Sequence, residues 1–311
     1  MNKKLLKYCL IVITICFVGS LSLLYVTDLK EPVFLEHYYE LMAHDNAYFE
    51  LSYITNYYDD AELIYVSFPQ LEGTNVLVTY SEMASYSPDS YSRYKMQTVR
   101  VSIKLESSEY FDDIMLDNAE IRLTNGKSVT GYIGKIVLFS DNADQSVKLV
   151  DTFLSSSSNT GVSFSDARFL DNVSVNSLPF ALKTETDGIL KLFVNNLSEN
   201  DVPDFSQNKL EIASSEIYNE AKIAAFTDDS RVLDESSLPF SFYKDEYVLM
   251  VSELIIDDSD VRKYNRYDIH RRIYLENAQG EIEYRVLYNM NYQPYLSGME
   301  IYKFLEYKEG K

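Results

Sequence analysis

The amino-acid sequence predicts a mainly β protein in which an N-terminal transmembrane helix is followed by two antiparallel β-sandwich-like domains with few short helices. Three observations carry this expectation. Residues 8–27 contain no charged side chain, and about 20 apolar residues suffice for a helix to cross the hydrocarbon core of a bilayer. Beyond them, short runs alternate apolar and polar residues with the period of two that marks half-buried strands. Turn-forming residues recur between these runs while long helix-period patterns are scarce, and a parallel α/β sheet would need a helix after nearly every strand.

The expected division is a cytoplasmic tail at 1–7, a signal anchor at 8–27 and a first extracytoplasmic β-domain with a juxtamembrane helix at 28–154. A Ser-rich linker at 155–161 and a second extracytoplasmic β-domain at 162–311 complete it. Lys3, Lys4 and Lys7 precede the apolar run, so the positive-inside rule predicts a single-pass protein of the cell membrane, N-terminus cytoplasmic and C-terminal part outside. The membrane is thus an expected partner through residues 8–27. The rival is a cleaved signal peptide, since Val18-Gly19-Ser20 and Ser20-Leu21-Ser22 offer small residues to a peptidase and would yield a secreted protein. Against it, apolar character runs on through Leu21, Leu23, Leu24, Tyr25 and Val26, beyond the usual h-region of about 7–15 residues. Cys16 lacks the small residue before it that a lipoprotein signal needs.

Composition excludes several classes. The chain of 311 residues carries 28 Lys+Arg against 48 Asp+Glu, a net charge of -20, which opposes a phosphate-seeking surface and so argues against nucleic acid as a partner. With 46% hydrophobic residues, 27 Tyr and 16 Phe it holds enough apolar surface to fold. Both cysteines, Cys9 and Cys16, fall inside the apolar run, so the part beyond it forms no disulfide.

Along that part, Pro32 followed by Val33-Phe34-Leu35 and Leu41-Met42 suggests the juxtamembrane helix. Glu62–Phe68 and Asn75–Tyr80 read as strands paired with each other across the turn residues of 69–73. In Thr98–Leu105, Val99, Val101, Ile103 and Leu105 alternate with polar partners, the clearest strand of the chain. Ile121–Thr124, Asn125-Gly126 and Ser128–Ile133 read as a hairpin with a type I′ turn, and Gln145–Leu154 as a further strand. Strands are also expected at Leu190–Val194, Lys209–Ala213, Tyr247–Ile256, Arg272–Glu276 and Glu281–Tyr288. Ile273–Asn277 followed by Gly280 echoes Ile121–Gly126, which raises internal duplication. Ala213–Ala225 carries a helix-like apolar set, and Asp258-Ser259-Asp260 offers caps for a helical turn at Val261.

No local motif names an activity. Glu36-His37-Tyr38-Tyr39-Glu40 lacks the two His four apart of a zinc-protease helix, no nucleophile elbow occurs, and position 121, where a P-loop before Gly126-Lys127-Ser128 would need Gly, is Ile. His37 and His44 stand too far apart along a helix to share one metal ion, and His270 lies in Tyr267–Arg272 as part of a salt-bridged surface patch. No cofactor is expected; acidic pairs at Asp59-Asp60, Asp112-Asp113, Asp228-Asp229 and Asp257-Asp258 with Asp260 could bind Ca²⁺, although none follows an EF-hand loop. Solvated loop carboxylates are the plainer account. Tyr80, Tyr86, Tyr91 and Tyr94 in a Ser-rich stretch form the candidate partner surface, because Tyr gives contact area at small entropic cost.

These features together predict a membrane-anchored extracytoplasmic binding or interaction protein, non-catalytic, whose partner is a protein or a cell-envelope component. The alternatives are an exported hydrolase with a dispersed carboxylate-based site, which leaves no local signature, and an accessory subunit of a larger membrane assembly.

Overall fold

A computed structural model describes residues 3–43, 46–71, 77–82, 93–104, 113–140, 147–157, 160–197 and 231–308. It begins with helix α1 (Lys3–Val26) and then strands β1 (Val33–Phe34), β2 (His37–Met42), β3 (Asn46–Asn56), β4 (Leu63–Ser67), β5 (Leu77–Glu82) and β6 (Tyr94–Lys104). There follow β7 (Ile114–Leu123), β8 (Ser128–Phe139), β9 (Val150–Ser157), β10 (Val162–Phe169), β11 (Val173–Ser177) and β12 (Leu190–Leu197). The chain closes with β13 (Arg231–Val232), β14 (Phe240–Phe242), β15 (Tyr247–Leu254), β16 (Arg266–Asn277), β17 (Ile282–Tyr292) and helix α2 (Gly298–Lys308). The protein is therefore mainly β, with several sheets and few helices.

Among the described residues the strands form three sheets. The outer two run β1-β3-β6-β5 and β13-β12-β15-β10-β9; the central one runs β14-β11-β16-β2-β8-β7-β4, with β17 also paired to β16. Two hydrophobic cores lie on opposite faces of the central sheet, as the alternation along β2 and β8 shows. Tyr39, Leu41, Ile136 and Leu138 join the core that holds Leu51 and Val101 of the first outer sheet. Tyr38 and Val137 join the core that holds Val194 and Met250 of the second. The central sheet takes strands from both halves of the sequence, so the two halves share one layer rather than parting at a linker. Ser155–Ser157, expected in that linker, end strand β9 and pair antiparallel with Ser163–Ser165 of β10.

β2 corrects the expected juxtamembrane helix. His37–Met42 is a strand running parallel to both β8 and β16, and His37, Tyr38, Tyr39, Glu40 and Leu41 are all buried. A strand covered on both faces loses the alternation that announces strands, and its aromatic and apolar residues then match no period. Gly134 makes this pairing possible: it lies opposite His37 with φ +101, and a Cβ there would run into the His37 backbone.

Several expectations hold. In β6, Val99, Val101 and Ile103 are buried, and Asp260 caps a 3-10 turn over Val261–Tyr264. The Asn125-Gly126 hairpin joins β7 to β8, but only Gly126 takes a positive φ, +80. Its Leu123 N–H donates to Lys127 O at 2.9 Å, which makes a three-residue loop with glycine in the left-handed position rather than a type I′ turn. The echoed segment builds the same loop: Asn277 N–H donates to Glu281 O at 3.0 Å and Gly280 has φ +79.

Other expectations do not. β4 pairs with β7 and β5 with β6, so Glu62–Phe68 and Asn75–Tyr80 are not partners. Lys209–Ala213 and Ala213–Ala225 lie outside the described residues. Helix α2 went unforeseen although its signal is present: Ser297 and Glu300 form a reciprocal capping box, and Ile301, Phe304 and Leu305 share the buried face. As for the membrane span expected at Tyr8–Thr27, α1 covers nearly all of it, with side chains described continuously only over residues 6–20. Among the described residues no helix is long and apolar enough to cross a membrane.

The close approach at Gly134 yields a prediction. Gly134→Ala meets both backbone strain and a collision with main chain that cannot rotate away, and should cost about 2 kcal/mol or more. Denaturant unfolding of the variant and the parent at equal protein concentration reads this difference; an unchanged midpoint would mean that β2 and β8 do not meet as described.

Candidate functional site

The start of β16 places three polar side chains, Arg266, Asp268 and His270, at alternate positions of a strand, while Tyr267 and Ile269 between them enter a core. The segment expected to be a salt-bridged surface patch is instead largely enclosed. The Arg266 side chain is 6% exposed and its guanidinium donates to Glu50 Oε2 at 2.7 Å and to Ser52 Oγ. Glu50 and Arg100 face each other in register on β3 and β6, with Arg100 Nη2 3.8 Å from Glu50 Oε1. One carboxylate thus spans two guanidinium groups, the arrangement a partly desolvated charge requires.

Beside this trio lies a cavity of about 460 Å³ lined by Tyr39, Tyr48, Phe49, Glu50, Arg100, Arg266, Asp268, Asn291 and Gln293. Burial pushes the Asp268 carboxyl up to about 7; the Glu50 charge adds to the rise, while Arg266 and a hydrogen bond from Asn291 oppose it. Asn291 Oδ1 is buried with no hydrogen-bond partner. His270 stands behind Asp268, its Nε2 3.7 Å from Asp268 Oδ1. Burial holds its imidazole down to about 4, so at neutral pH it is uncharged, and the contact is not an ion pair. Its Nδ1 accepts from Met42 N–H at 3.3 Å, which leaves the proton on Nε2. The set can bind polar groups through both donors and acceptors, and Asp268 can hold or release a proton near neutrality.

The buried cluster around Glu40 is internally satisfied. Glu40, fully buried, accepts from Arg272 Nε at 2.8 Å and from Ala181 N–H at 2.9 Å, and Arg272 grips Asp113 with both terminal nitrogens at 3.2 and 3.0 Å. A second cavity of about 320 Å³ near Phe180, Lys183, Asp234 and Arg271 is closed off chemically. There Lys183 pairs with Glu235, and Asp234 caps Ser236 and Ser237.

Of the expected tyrosine surface, the structure describes two strand positions, Tyr80 and Tyr94. Tyr94 is buried among Leu35, Ile54, Tyr264 and Phe304, and its hydroxyl donates to Thr27 O at 2.6 Å. Tyr80 lies on β5 opposite Val101 of β6, and Tyr86 and Tyr91 lie outside the described residues. His37 is a satisfied core residue: Nδ1–H donates to Ile133 O at 3.0 Å, Nε2 accepts from Ser52 N–H at 2.8 Å, and burial holds it down to about 3. His44 is outside the described residues. Of the acidic pairs, Asp59 accepts from Ala61 N–H, Asp113 holds Arg272, Asp257 binds Ser259 and Asp260 binds Arg262. Asp112, Asp228 and Asp229 are outside the described residues. Among the described residues no group of three or more His, Cys, Asp or Glu side chains could hold a metal ion.

Glu50, Arg100, Arg266, Asp268 and Asn291 were missed because each sits on a different strand or strand position, and only the register of β3, β6, β16 and β17 joins them. The weak signal available was a charged residue at every second position of Arg266-Tyr267-Asp268-Ile269-His270, with apolar residues between.

No family model matches the chain, and no curated protein matches it. Among solved structures it is similar to the sialic acid binding region of a Streptococcus sanguinis SK1 adhesin, at 9% identity and TM-score 0.22 over 86% of this chain and 78% of that one. It is also similar to a chimeric titin Z1Z2-Z1Z2 tandem carrying a GRGDS peptide from fibronectin, at 9% identity and TM-score 0.15 over 84% and 98%. At such scores neither likeness extends to the arrangement of strands or to a ligand.

The perturbed groups make stability depend on pH in opposed directions. His37 and His270 fold neutral, with values below the ordinary 6.5, so between about 6.5 and 4 the unfolded chain binds more protons and acid costs stability. Asp268 is raised above the ordinary 3.8. Its contribution is full below that value and is lost as pH rises through 7. Asp268→Asn, which keeps a neutral group there, should be more stable than the parent at pH 8 and should lose stability more steeply on acidification from pH 7 to 4. Thermal melts of both proteins across that range test this; parallel curves would show that Asp268 titrates normally.

Proposed function

We propose that the chain is a single-pass, membrane-anchored extracytoplasmic binding protein that takes its ligand, without transforming it, in the cleft against β16. What supports the anchor is the apolar surface of α1 over residues 6–20, where the side chains are described. Leu10, Val12, Ile13, Ile15 and Phe17 are each more than half exposed, and successive residues point 100° apart, so no side of the helix is polar. Such a helix is either enclosed by protein or immersed in lipid. The three lysines before the run favour a cytoplasmic N-terminus, and the acidic character of the remainder favours solubility outside. Binding in the cleft is supported by the convergence there of paired charges, two amides and an exposed tyrosine, the small set of placed polar groups that ligand sites use.

A second reading, an exported hydrolase, is favoured by one feature: Glu50 and Asp268 line the same cavity, and Asp268 is poised to carry a proton near pH 7.

Expression of the full chain with a C-terminal tag, fractionation and sequencing of the mature N-terminus test the anchor. An intact N-terminus in carbonate-washed membranes is the expected result. A new N-terminus after Ser20 or Ser22, with protein in the medium, overturns it. For the cleft, Arg100→Glu should reduce at least tenfold the partner or envelope material co-purified with the membrane-bound chain; equal recovery would move the site elsewhere.

A further inference from the structure

The cleft's own chemistry narrows its ligand. Its charged lining pairs two carboxylates, Glu50 and Asp268, with two guanidinium groups, Arg100 and Arg266, so donors and acceptors alternate with little net charge. An anionic ligand would enter against both carboxylates and against the acidic field of the whole chain, and a cationic one against both arginines. A hydroxyl group donates and accepts at once. A row of vicinal hydroxyls therefore satisfies such a lining without leaving a buried charge unpaired. Asn291 and Gln293 add amides that present one acceptor and two donors each. Tyr48 lines the same cavity and is 60% exposed, which leaves a ring for the apolar C–H face of a sugar. The volume of about 460 Å³ falls within the roughly 300–1,000 Å³ of small-ligand sites.

We infer that the cleft binds a neutral saccharide, its ring against Tyr48 and its hydroxyls bridging Glu50 and Arg100 on one side and Asp268 and Asn291 on the other. This rests on the cleft being the binding site and adds the class of ligand.

The test uses the full chain in nanodiscs, because many mild detergents are themselves sugars. Saturation-transfer NMR is run with neutral trisaccharides built from glucose, mannose and N-acetylglucosamine, beside sialyllactose and glucosamine as charged counterparts. At least one neutral trisaccharide should take up saturation on one face of one ring, and Tyr48→Ala and Asn291→Ala should each weaken it at least tenfold while the circular dichroism spectrum shows the β fold retained. No transfer from any neutral sugar at millimolar concentration overturns the inference. So does transfer from the charged sugars alone, or equal transfer in both variants. If Arg100→Glu abolishes partner capture while no saccharide binds, the ligand class fails and the binding-protein reading stands. If the sugar binds and free reducing ends accumulate with time, the saccharide site stands and the non-catalytic reading fails.

Discussion

The burial of β2 on both faces is the constraint on which the rest of the molecule depends. His37–Met42 is flanked by parallel partners, β8 and β16, and parallel strands are stable only when both faces are covered. Each face belongs to a different core, so the strand cannot shift by one residue without exchanging Tyr38 and Tyr39 between them. The polar residues in it are therefore tied down individually. His37 bridges Ile133 of β8 and Ser52 of β3, and Glu40 holds Arg272 of β16 and the Ala181 amide. Leaving any of these groups buried and unpaired costs about 1–3 kcal/mol, and more for a charge. The satisfied network thus selects one register.

The cleft is a by-product of the same geometry. The first outer sheet reaches the start of β16, where Glu50 and Ser52 of β3 hold Arg266, and Asp268 and His270 follow at alternate positions on the same face of the strand. Half-covered charges cannot remain isolated, which explains why Glu50 is shared by Arg266 and Arg100. The net charge of -20 for the chain makes this local balance informative: two arginines have been drawn into one site from a small supply of cations. The site's polarity is set by pairing.

Local sequence patterns announced the parts of the fold that face water on one side. β6 alternates because one of its faces is polar, and the hairpins were visible because glycine is needed at Gly126 and Gly280. β2 was illegible since enclosure removes alternation, and its Pro32 prelude mimicked a helix start. The Ser155–Ser157 run looked like a linker because serine packs poorly, yet an edge strand bordered by β10 asks little apolar content of its residues. Tyr94 was counted with its neighbours in a Ser-rich stretch, while its place opposite Asn56 in the β3–β6 register buries it. Helix α2 was legible in principle from Ser297, Glu300 and the apolar spacing of Ile301, Phe304 and Leu305. The cleft was not, because its residues come from four strands and share only a register.

The buried Tyr94 also explains how the segment after α1 joins the β body. Its hydroxyl holds Thr27 O, Asn56 Nδ2 donates to Leu29 O at 2.7 Å while Leu29 N–H donates to Asn56 Oδ1 at 3.0 Å, and Lys127 Nζ reaches Lys30 O at 3.0 Å. Helix α2 closes the same end, packing Ile301, Phe304 and Leu305 around Leu35, Ile54 and Tyr264, with Lys308 on Glu36. A chain that merely needed a tether would spend residues on a flexible polar stalk. Here main-chain atoms of Thr27, Leu29 and Lys30 are each fixed within a few residues of the end of α1. That junction makes the segment after α1 part of the β body rather than a free linker.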